Sequence, residues 1–393
     1  MSGIVGLLAF SDTWNVVKFT YYGLIALQNR GRGVAGLALV NDDLQQIIGT
    51  KGEASELEVE GARGWASIGY VGRDRKYPLQ LGSQVIVVDG IASDDELIRA
   101  LEDPTQPLKF SFISLTKNGT LTVRRDSFGL KPLYLGSFGF DVVMVASEPS
   151  AIWAVGGELR RELDPGELLV IDRMGLSMRP SKREKRRTCS LEYIYMSRLD
   201  SVLSDVPIYQ ARVKLGELLA KDYPINADVV VGVPETGIPV AIGYSRASGI
   251  SFELGFVKMG SYVRTMGIDD PFMRLVGAQL KLNPIKSVFD DRRVILIDDS
   301  MVTGNTLRNT VQVVRRAGAK EVHVLLASPK LVRSCPYGVD VPDSRFLVNE
   351  GDVYKRIGAD SLRWITIESM YRALGTRELC TLCMGGQGLG DEK

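Results

Sequence analysis

The chain has almost no net charge: 48 Lys and Arg against 47 Asp and Glu leave +1 over 393 residues. A nucleic-acid-binding surface is not expected from that balance. No apolar run is long enough to cross a membrane, and the N-terminus lacks a basic-then-apolar signal pattern. A soluble cytoplasmic protein is therefore expected. Internal repeats and low-complexity tracts are also missing. Cysteine is scarce, at four residues, and disulfides are disfavoured in most cytosols, hyperthermophiles excepted. The one basic cluster, Lys182-Arg183-Glu184-Lys185-Arg186-Arg187, is of the kind that usually forms a solvated linker.

What is present suffices for packed cores, with 45% apolar residues and a length suggesting two or three domains. Up to about residue 175, short apolar or alternating runs recur at Ile4–Leu8, Gly36–Val40, Val85–Val88, Phe110–Leu115, Leu121–Arg124 and Val142–Ala146. Helical patterns lie between them at Val16–Gln28 and Asp94–Leu101. Mixed α/β layers with mostly antiparallel strands are expected. From 205 to 345 the pattern alternates. Strands are expected at Val229–Val233, Phe252–Val257, Val294–Ile297 and Val322–Ala327, and helices at Pro239–Ala247 and Asn305–Arg316. Gly318 reads as a helix stop. Such alternation implies a doubly wound parallel sheet. The spans expected are 1–175, a linker at 176–204, 205–345, and a tail at 346–393 with a helical run at Ile367–Leu374.

The most specific stretch is Val294–Thr310. Its apolar run suits a strand buried on both faces, and it ends in Asp298 and Asp299. Ligands of parallel sheets bind at the carboxyl ends of strands. Ser300 and then Thr303-Gly304-Asn305-Thr306 lead into a helix, whose first N–H groups and dipole favour an anion. Gly304 lets the backbone approach a phosphate, and the threonine hydroxyls add donors. Phosphate would be repelled by the acidic pair, which instead suits sugar hydroxyls, as an acidic residue does for ribose in dinucleotide folds. A capped helix beside a solvated turn would use some of these residues, as would a phospho-acceptor aspartate on a flavodoxin-like fold. The Gly-and-Thr turn beside the acidic pair suits bound phosphate better. A second turn, Pro234-Glu235-Thr236-Gly237, also follows a strand and precedes a helix. One ligand could touch both.

Cys380-Thr381-Leu382-Cys383 is a C-x-x-C pair, and Cys189 and Cys335 could complete a four-thiolate site. Zinc and an iron–sulfur cluster both accept such a set, and four unrelated buried thiols are the plain alternative.

These motifs together resemble the glutamine phosphoribosylpyrophosphate (PRPP) amidotransferases, with the Val294–Thr310 segment similar to the PRPP loop of type I phosphoribosyltransferases. The resemblance runs from Ser2 to about Gly386. It is carried also by Leu27-Gln28-Asn29-Arg30-Gly31, Arg125-Asp126-Ser127-Phe128-Gly129, Glu192-Tyr193-Ile194-Tyr195, Lys281-Leu282-Asn283-Pro284 and Gly358-Ala359-Asp360-Ser361-Leu362. It implies an N-terminal-nucleophile αββα sandwich followed by a type I phosphoribosyltransferase sheet. The implied reaction is displacement of pyrophosphate from PRPP, giving phosphoribosylamine for purine synthesis. Asp298 and Asp299 would face the sugar and its Mg²⁺, and Pro234–Gly237 would bind pyrophosphate. Lys258, Arg264 and Lys281 match positions on or near the family's flexible loop. One branch of the family holds a 4Fe–4S cluster, and Cys189, Cys335, Cys380 and Cys383 each match a ligand position of it.

Departures are equally informative. The family's loop reads approximately K-N-R-Y-V-G-R-T-F, whereas Lys258-Met259-Gly260-Ser261-Tyr262-Val263-Arg264-Thr265-Met266 lacks the Asn-Arg-Tyr core. Thr303 stands where the family usually has arginine. The family's nucleophile is the cysteine after Met1, and here it is Ser2. The glutamine-binding G-H-V-R-Y-S-T appears as Gly69-Tyr70-Val71-Gly72-Arg73-Asp74, with Arg73 displaced by one position, on the opposite face if this is a strand. The N-G-N oxyanion motif appears as Asp89-Gly90-Ile91, a carboxylate where negative charge would develop. Loss of one oxyanion donor costs roughly 10²–10³ in rate. The S-D-T segment that grips glutamine is missing. The glutaminase is expected to be lost. Two functions then compete: an ammonia-dependent amidophosphoribosyltransferase, and a PRPP-binding regulatory partner of an active homologue. Homo-oligomers, or hetero-oligomers with such a homologue, are implied; salvage of a nucleobase is disfavoured because the resemblance covers both halves.

Overall fold

The computed structural model describes residues 2–11, 13–41, 44–74, 76–257, 282–339, 341, 346–349 and 351–390. The N-terminal half is built on two antiparallel sheets. The first contains β1 (Gly3–Ala9), β2 (Val34–Asn41), β3 (Leu44–Thr50), β4 (Ala66–Gly72), β9 (Tyr134–Phe138), β10 (Val142–Ala146) and β11 (Glu158–Glu162), in the order β11-β9-β10-β1-β4-β2-β3. The second contains β5 (Leu79–Leu81), β6 (Gln84–Asp89), β7 (Ser111–Thr116), β8 (Leu121–Arg124), β12 (Leu168–Asp172) and β13 (Gly175–Arg179), in the order β13-β12-β8-β7-β6-β5.

The apolar run of β1 has a simple cause: both of its faces are covered. Side chains alternate along a strand, so Ile4 and Leu8 join Ile86 and Ile113 of the second sheet. Val5 and Leu7 instead join Leu24 and Ile152 of the helices Val17–Ala26 and Pro149–Trp153. Helix Asp94–Glu102 adds Leu97 and Ala100 to the apolar cluster of the second sheet. Its start is set by a capping box in which Ser93 and Glu96 satisfy each other's backbone N–H groups. The layers are helix, sheet, sheet, helix. β13 pairs with β12 through Arg179, so the second sheet continues past 175.

The second half carries a parallel sheet, β17 (Val229–Gly232), β20 (Arg293–Asp298), β21 (Glu321–Leu326) and β22 (Ser361–Trp364), in that order. Alternation again assigns the faces. Val230, Ile295, Ile297 and Leu325 pack towards helices Ile208–Asp222, Gly237–Ser248 and Ile367–Leu374. Val231, Val294, Leu296 and Val324 pack towards helix Asn305–Arg316 through Leu307, Val311 and Val314. The sheet is therefore doubly wound. Helices Ile208–Asp222 and Gly237–Ser248 touch backbone to backbone: a Cβ on Gly216 would strike Val240 O, and one on Gly243 would strike Val213 O.

One expected strand does not form as a unit. Phe252 makes only an isolated bridge to Val230, and Phe256–Val257 (β18) pairs instead with Asn283–Pro284 (β19) in a separate ribbon. Gly255 separates the two pieces, and a Cβ there would press on Phe289 and Val231. A glycine inside a strand pattern weakens it and marks close approach. Between the halves, Thr188–Cys189 (β14) runs parallel to Leu379–Cys380 (β23), Glu192–Met196 forms a short π-helix, and Val202–Leu203 (β15) hairpins onto Val206–Pro207 (β16). Among the described residues no helix is long and apolar enough to cross a membrane.

Candidate functional site

β17 and β20 are neighbours, so the turns at their carboxyl ends lie side by side. Val233 N donates to Ile297 O at 2.8 Å, and a Cβ on Gly237 would collide with Ile297 O. The hydroxyl of Thr236 donates to Asp299 Oδ2 at 2.6 Å, joining the two turns directly. Thr236 stands at the N-cap of helix Gly237–Ser248 without capping it, its hydroxyl having gone to the acidic pair. Ser300 Oγ donates to the other oxygen of Asp299 at 2.8 Å, and Asp299 N donates to Asp298 Oδ1 at 2.9 Å. Asp299 is thus oriented by two hydroxyls.

Asp298 is 8% exposed. Burial first, and then the neighbouring Asp299 charge, push its carboxyl from 3.8 up to about 8. The pair therefore takes up its second negative charge only with difficulty, which is how two carboxylates sharing a site behave. It is poised to accept hydroxyl hydrogen bonds or to face a cation. Gly304 follows with φ of 73°, in the left-handed region, at the N-cap of helix Asn305–Arg316. The side chains of Thr303, Asn305 and Thr306 are exposed around that helix start, and no side chain caps it. The first N–H groups of the helix are left for an anion. Pro234–Gly237 and Asp298–Thr306 are thus brought to one place. Lys258, Arg264 and Lys281 lie outside the described residues.

Ser2 sits in a different centre and is 4% exposed. Its hydroxyl donates to Asp89 Oδ1 at 2.9 Å, and its carbonyl accepts from Arg30 Nε at 2.9 Å. Arg30, fully buried, also pairs with Asp89 at 3.2 Å, Glu148 at 3.1 Å and Glu192 at 2.8 Å. Burial lowers the Arg30 pKa, but Glu192, Asp89 and Glu148 outweigh it and raise the value above the ordinary one. For Glu192, burial pushes upward and Arg30 holds it below the usual carboxylate range. The proton of the Ser2 hydroxyl is committed to a carboxylate that Arg30 already holds. Arg73 falls just beyond the end of β4 and is exposed, so the opposite-face argument for it does not apply.

Glu192 reaches further. Ser197 Oγ donates to it at 2.7 Å, while Arg212 of helix Ile208–Asp222 donates to Tyr193 O at 2.9 Å and Ser197 O at 2.7 Å. Burial lowers the Arg212 pKa to about 10, against the opposing pull of Asp299, Glu148 and Glu192. Sequence reasoning did not single out Glu148, Lys131 or Arg212, and it took Arg30 and Glu192 only as family matches. A charged residue inside an otherwise apolar context was the available signal.

None of the four cysteines is in a disulfide, and Cys189, Cys380 and Cys383 share one apolar cluster with Cys335 packed against it. β14 pairs with β23 so that Cys189 lies opposite Cys380. Cys383 O accepts from Val332 N at 2.8 Å, and Cys335 Sγ accepts from Tyr337 N at 3.4 Å. Burial pushes the Cys383 thiol up to about 12, with Cys335 and Cys380 adding to the effect. Lys131 Nζ is buried with no hydrogen-bond partner among the described residues. Burial lowers its pKa, but Asp89, Cys189 and Glu192 outweigh that and raise it. The donors are right in kind and neighbourhood for a thiolate site. Yet among the described residues no three His, Cys, Asp or Glu side chains are gathered into a ligating group.

Comparison with known proteins agrees with this geometry. Residues 208–330 match the phosphoribosyl transferase domain family. The chain is similar to the amidophosphoribosyltransferase of Methanocaldococcus jannaschii, 30% identical over 459 residues, covering 98% of this chain and 97% of that protein. It is 33% identical over 417 residues to the Bacillus subtilis amidophosphoribosyltransferase, covering 92% and 87%. Among solved structures, glutamine PRPP amidotransferase from B. subtilis complexed with ADP and GMP superposes with a TM-score of 0.87 at 29% identity, over 98% of this chain and 97% of that one.

Proposed function

From its place in the amidophosphoribosyltransferase family, to which this chain belongs, we propose that it forms phosphoribosylamine from PRPP and ammonia in purine biosynthesis, with its glutaminase lost. Its reaction class is phosphoribosyl transfer. The observation that carries the proposal is the 2.6 Å hydrogen bond from Thr236 to Asp299, which makes one site of the two turns.

In this reading the helix start at Thr303–Thr306 holds the 5-phosphate, with Ser300 ordering the acidic pair beside it. Asp298 and Asp299 accept the ribose hydroxyls, and the Pro234–Gly237 backbone faces the pyrophosphate. Mg²⁺ carried by the pyrophosphate would neutralise leaving-group charge and offset the acidic pair. The C1–oxygen bond breaks with its electron pair leaving on pyrophosphate, ammonia forms the C1–nitrogen bond, and a proton passes to solvent. No protein nucleophile is needed, so catalysis rests on positioning and electrostatics. Lys258, Arg264 and Lys281 would complete the pyrophosphate contacts.

Loss of the glutaminase is supported by the committed Ser2 hydroxyl and by Asp89 standing where an oxyanion would form. An alcohol has essentially no alkoxide near neutral pH, and a neighbouring carboxylate opposes the developing charge. The four cysteines are proposed as ligands of a 4Fe–4S cluster joining the linker to the C-terminal segment, supported by the Cys189–Cys380 pairing. Assembly as a homo-oligomer, or with an active homologue, is proposed on the same family grounds. The deciding experiment is an anaerobic assay of pyrophosphate release from PRPP and Mg²⁺. Release with ammonia and none with glutamine alone is expected. Saturable PRPP binding without turnover would instead favour a regulatory partner.

A further inference from the structure

The basic run Lys182–Arg187 divides between two sides. Lys182 pairs with Glu184 at 3.4 Å, Arg183 and Arg186 approach Asp164 at 3.8 and 3.9 Å, and Arg186 donates to Ser204 Oγ at 2.8 Å. The side chains of Lys185 and Arg187 have no hydrogen-bond or ion-pair partner among the described residues. Both line a hollow of about 300 Å³ with Tyr371, Arg377, Glu378 and Gln387.

Three cationic side chains from two distant segments thus converge on one half-enclosed space. Gathering like charges is unfavourable by Coulomb's law. Arg377 is held by Glu368 at 2.5 Å and lies 5.3 Å over the Tyr371 ring, which fixes its guanidinium. Glu378 offsets one further charge and leaves another uncompensated. One net positive charge and three converging donors remain, and a tetrahedral anion whose several oxygens can accept from Lys185, Arg187 and Arg377 together satisfies them better than a planar carboxylate does. Guanidinium groups pair with phosphate in a fork geometry, and lysine binds it as a point charge. The volume is at the small end for ligand pockets, large enough for one or two phosphate groups.

We propose that this hollow binds a small phosphate-class polyanion, inorganic phosphate or pyrophosphate in size. It shares no residue with the Pro234–Gly237 and Asp298–Thr306 turns. Arg187 and Glu378 immediately precede β14 and β23, and Thr188 N donates to Glu378 O at 3.0 Å. A bound anion clamps the linker to the C-terminal segment at the ladder that sets Cys189 opposite Cys380.

The test is calorimetric titration of the full chain with inorganic pyrophosphate and, separately, with inorganic phosphate. The protein is compared with its Lys185→Gln/Arg187→Gln double variant, whose changes are at solvent-facing side chains. The parent is expected to show a class of sites that survives Thr236→Ala and weakens at least tenfold in the double variant, with ammonia-dependent turnover unchanged. An isotherm identical in parent and double variant overturns the proposal. So does a single class abolished by Thr236→Ala, or equal competition by chloride at matched ionic strength. A failure at the sugar-phosphate turns removes only the Thr236-sensitive class, so the two readings fail separately.

Discussion

At the scale of single residues, Asp298 carries the clearest pH signature. Its carboxyl keeps a proton to about pH 8 in the folded chain and releases it near 3.8 when exposed. Between those values the folded state binds more protons than the unfolded one, so its contribution to stability falls as pH rises. Asp298→Asn should remove that loss. Thermal midpoints of the ligand-free variant should stay flat from about pH 4 to pH 8 where the parent's decline. PRPP affinity should drop by about 10- to 100-fold, the worth of one charge-assisted hydrogen bond. A midpoint with the parent's pH slope would show that another group titrates there.

Arg30 makes the opposite case, because it is the cation that three buried carboxylates share. Removing one partner of a buried ionic group leaves uncompensated charge, at a cost of about 3–5 kcal/mol. Arg30→Met should lower the denaturation free energy by that amount, measured by urea titration. Ser2→Cys should be nearly silent by contrast. A thiol there still faces Asp89, so glutamate release from glutamine should stay at background. Measurable hydrolysis by the Ser2→Cys chain would contradict the reading of a closed site.

Among elements, the β20 turn and its helix were almost fully legible. Asn305–Arg316 is helical at the expected bounds because Leu307, Val311 and Val314 repeat at helical spacing over a buried face. Val294–Ile297 showed a two-sided burial that the doubly wound sheet explains. Phe252–Val257 misled because its apolar residues pattern like one strand, while Gly255 packs too closely on Phe289 to sustain one. The Thr236–Asp299 bond was not legible at all: it joins residues 63 apart, and nothing local marks it. Nor was the Arg30 network, whose carboxylates come from β6, the start of helix Pro149–Trp153 and the linker. Gly304 is the element's sensitive point. Its left-handed backbone disfavours a side chain by roughly 1–2 kcal/mol, and a Cβ would also press on Leu347. Gly304→Ala should therefore weaken PRPP binding more than it lowers the melting temperature, since the turn can shift while the helix stays packed. Equilibrium binding beside a thermal melt separates the two.

For the whole molecule, the two halves are joined by polar contacts centred on the buried side chains of Arg30, Glu148 and Glu192. Arg30 of the N-terminal half holds Glu192, Glu148 accepts from Arg198 N at 2.9 Å and Ser201 Oγ at 2.8 Å, and Asn29 donates to Met196 O at 2.9 Å. Separating the halves would leave Glu148 and Glu192 buried without their partners or would expose both faces together. Either outcome costs more than a peripheral contact, because unsatisfied buried charges are among the most expensive defects in a fold. The N-terminal half thus serves as the support on which the linker, and through Arg212 the phosphoribosyl half, is seated. The expected consequence is a single cooperative unfolding transition. Trp14, Trp65 and Trp153 report on the N-terminal half and Trp364 on the parallel sheet. Two variants, one keeping only Trp364 and one lacking it, should give coincident urea transitions by fluorescence. Glu192→Gln weakens the joint without touching either sheet, so it should lower both midpoints together. If Trp364 unfolded separately in the parent, the halves would be independent, and the polar joint would not couple them.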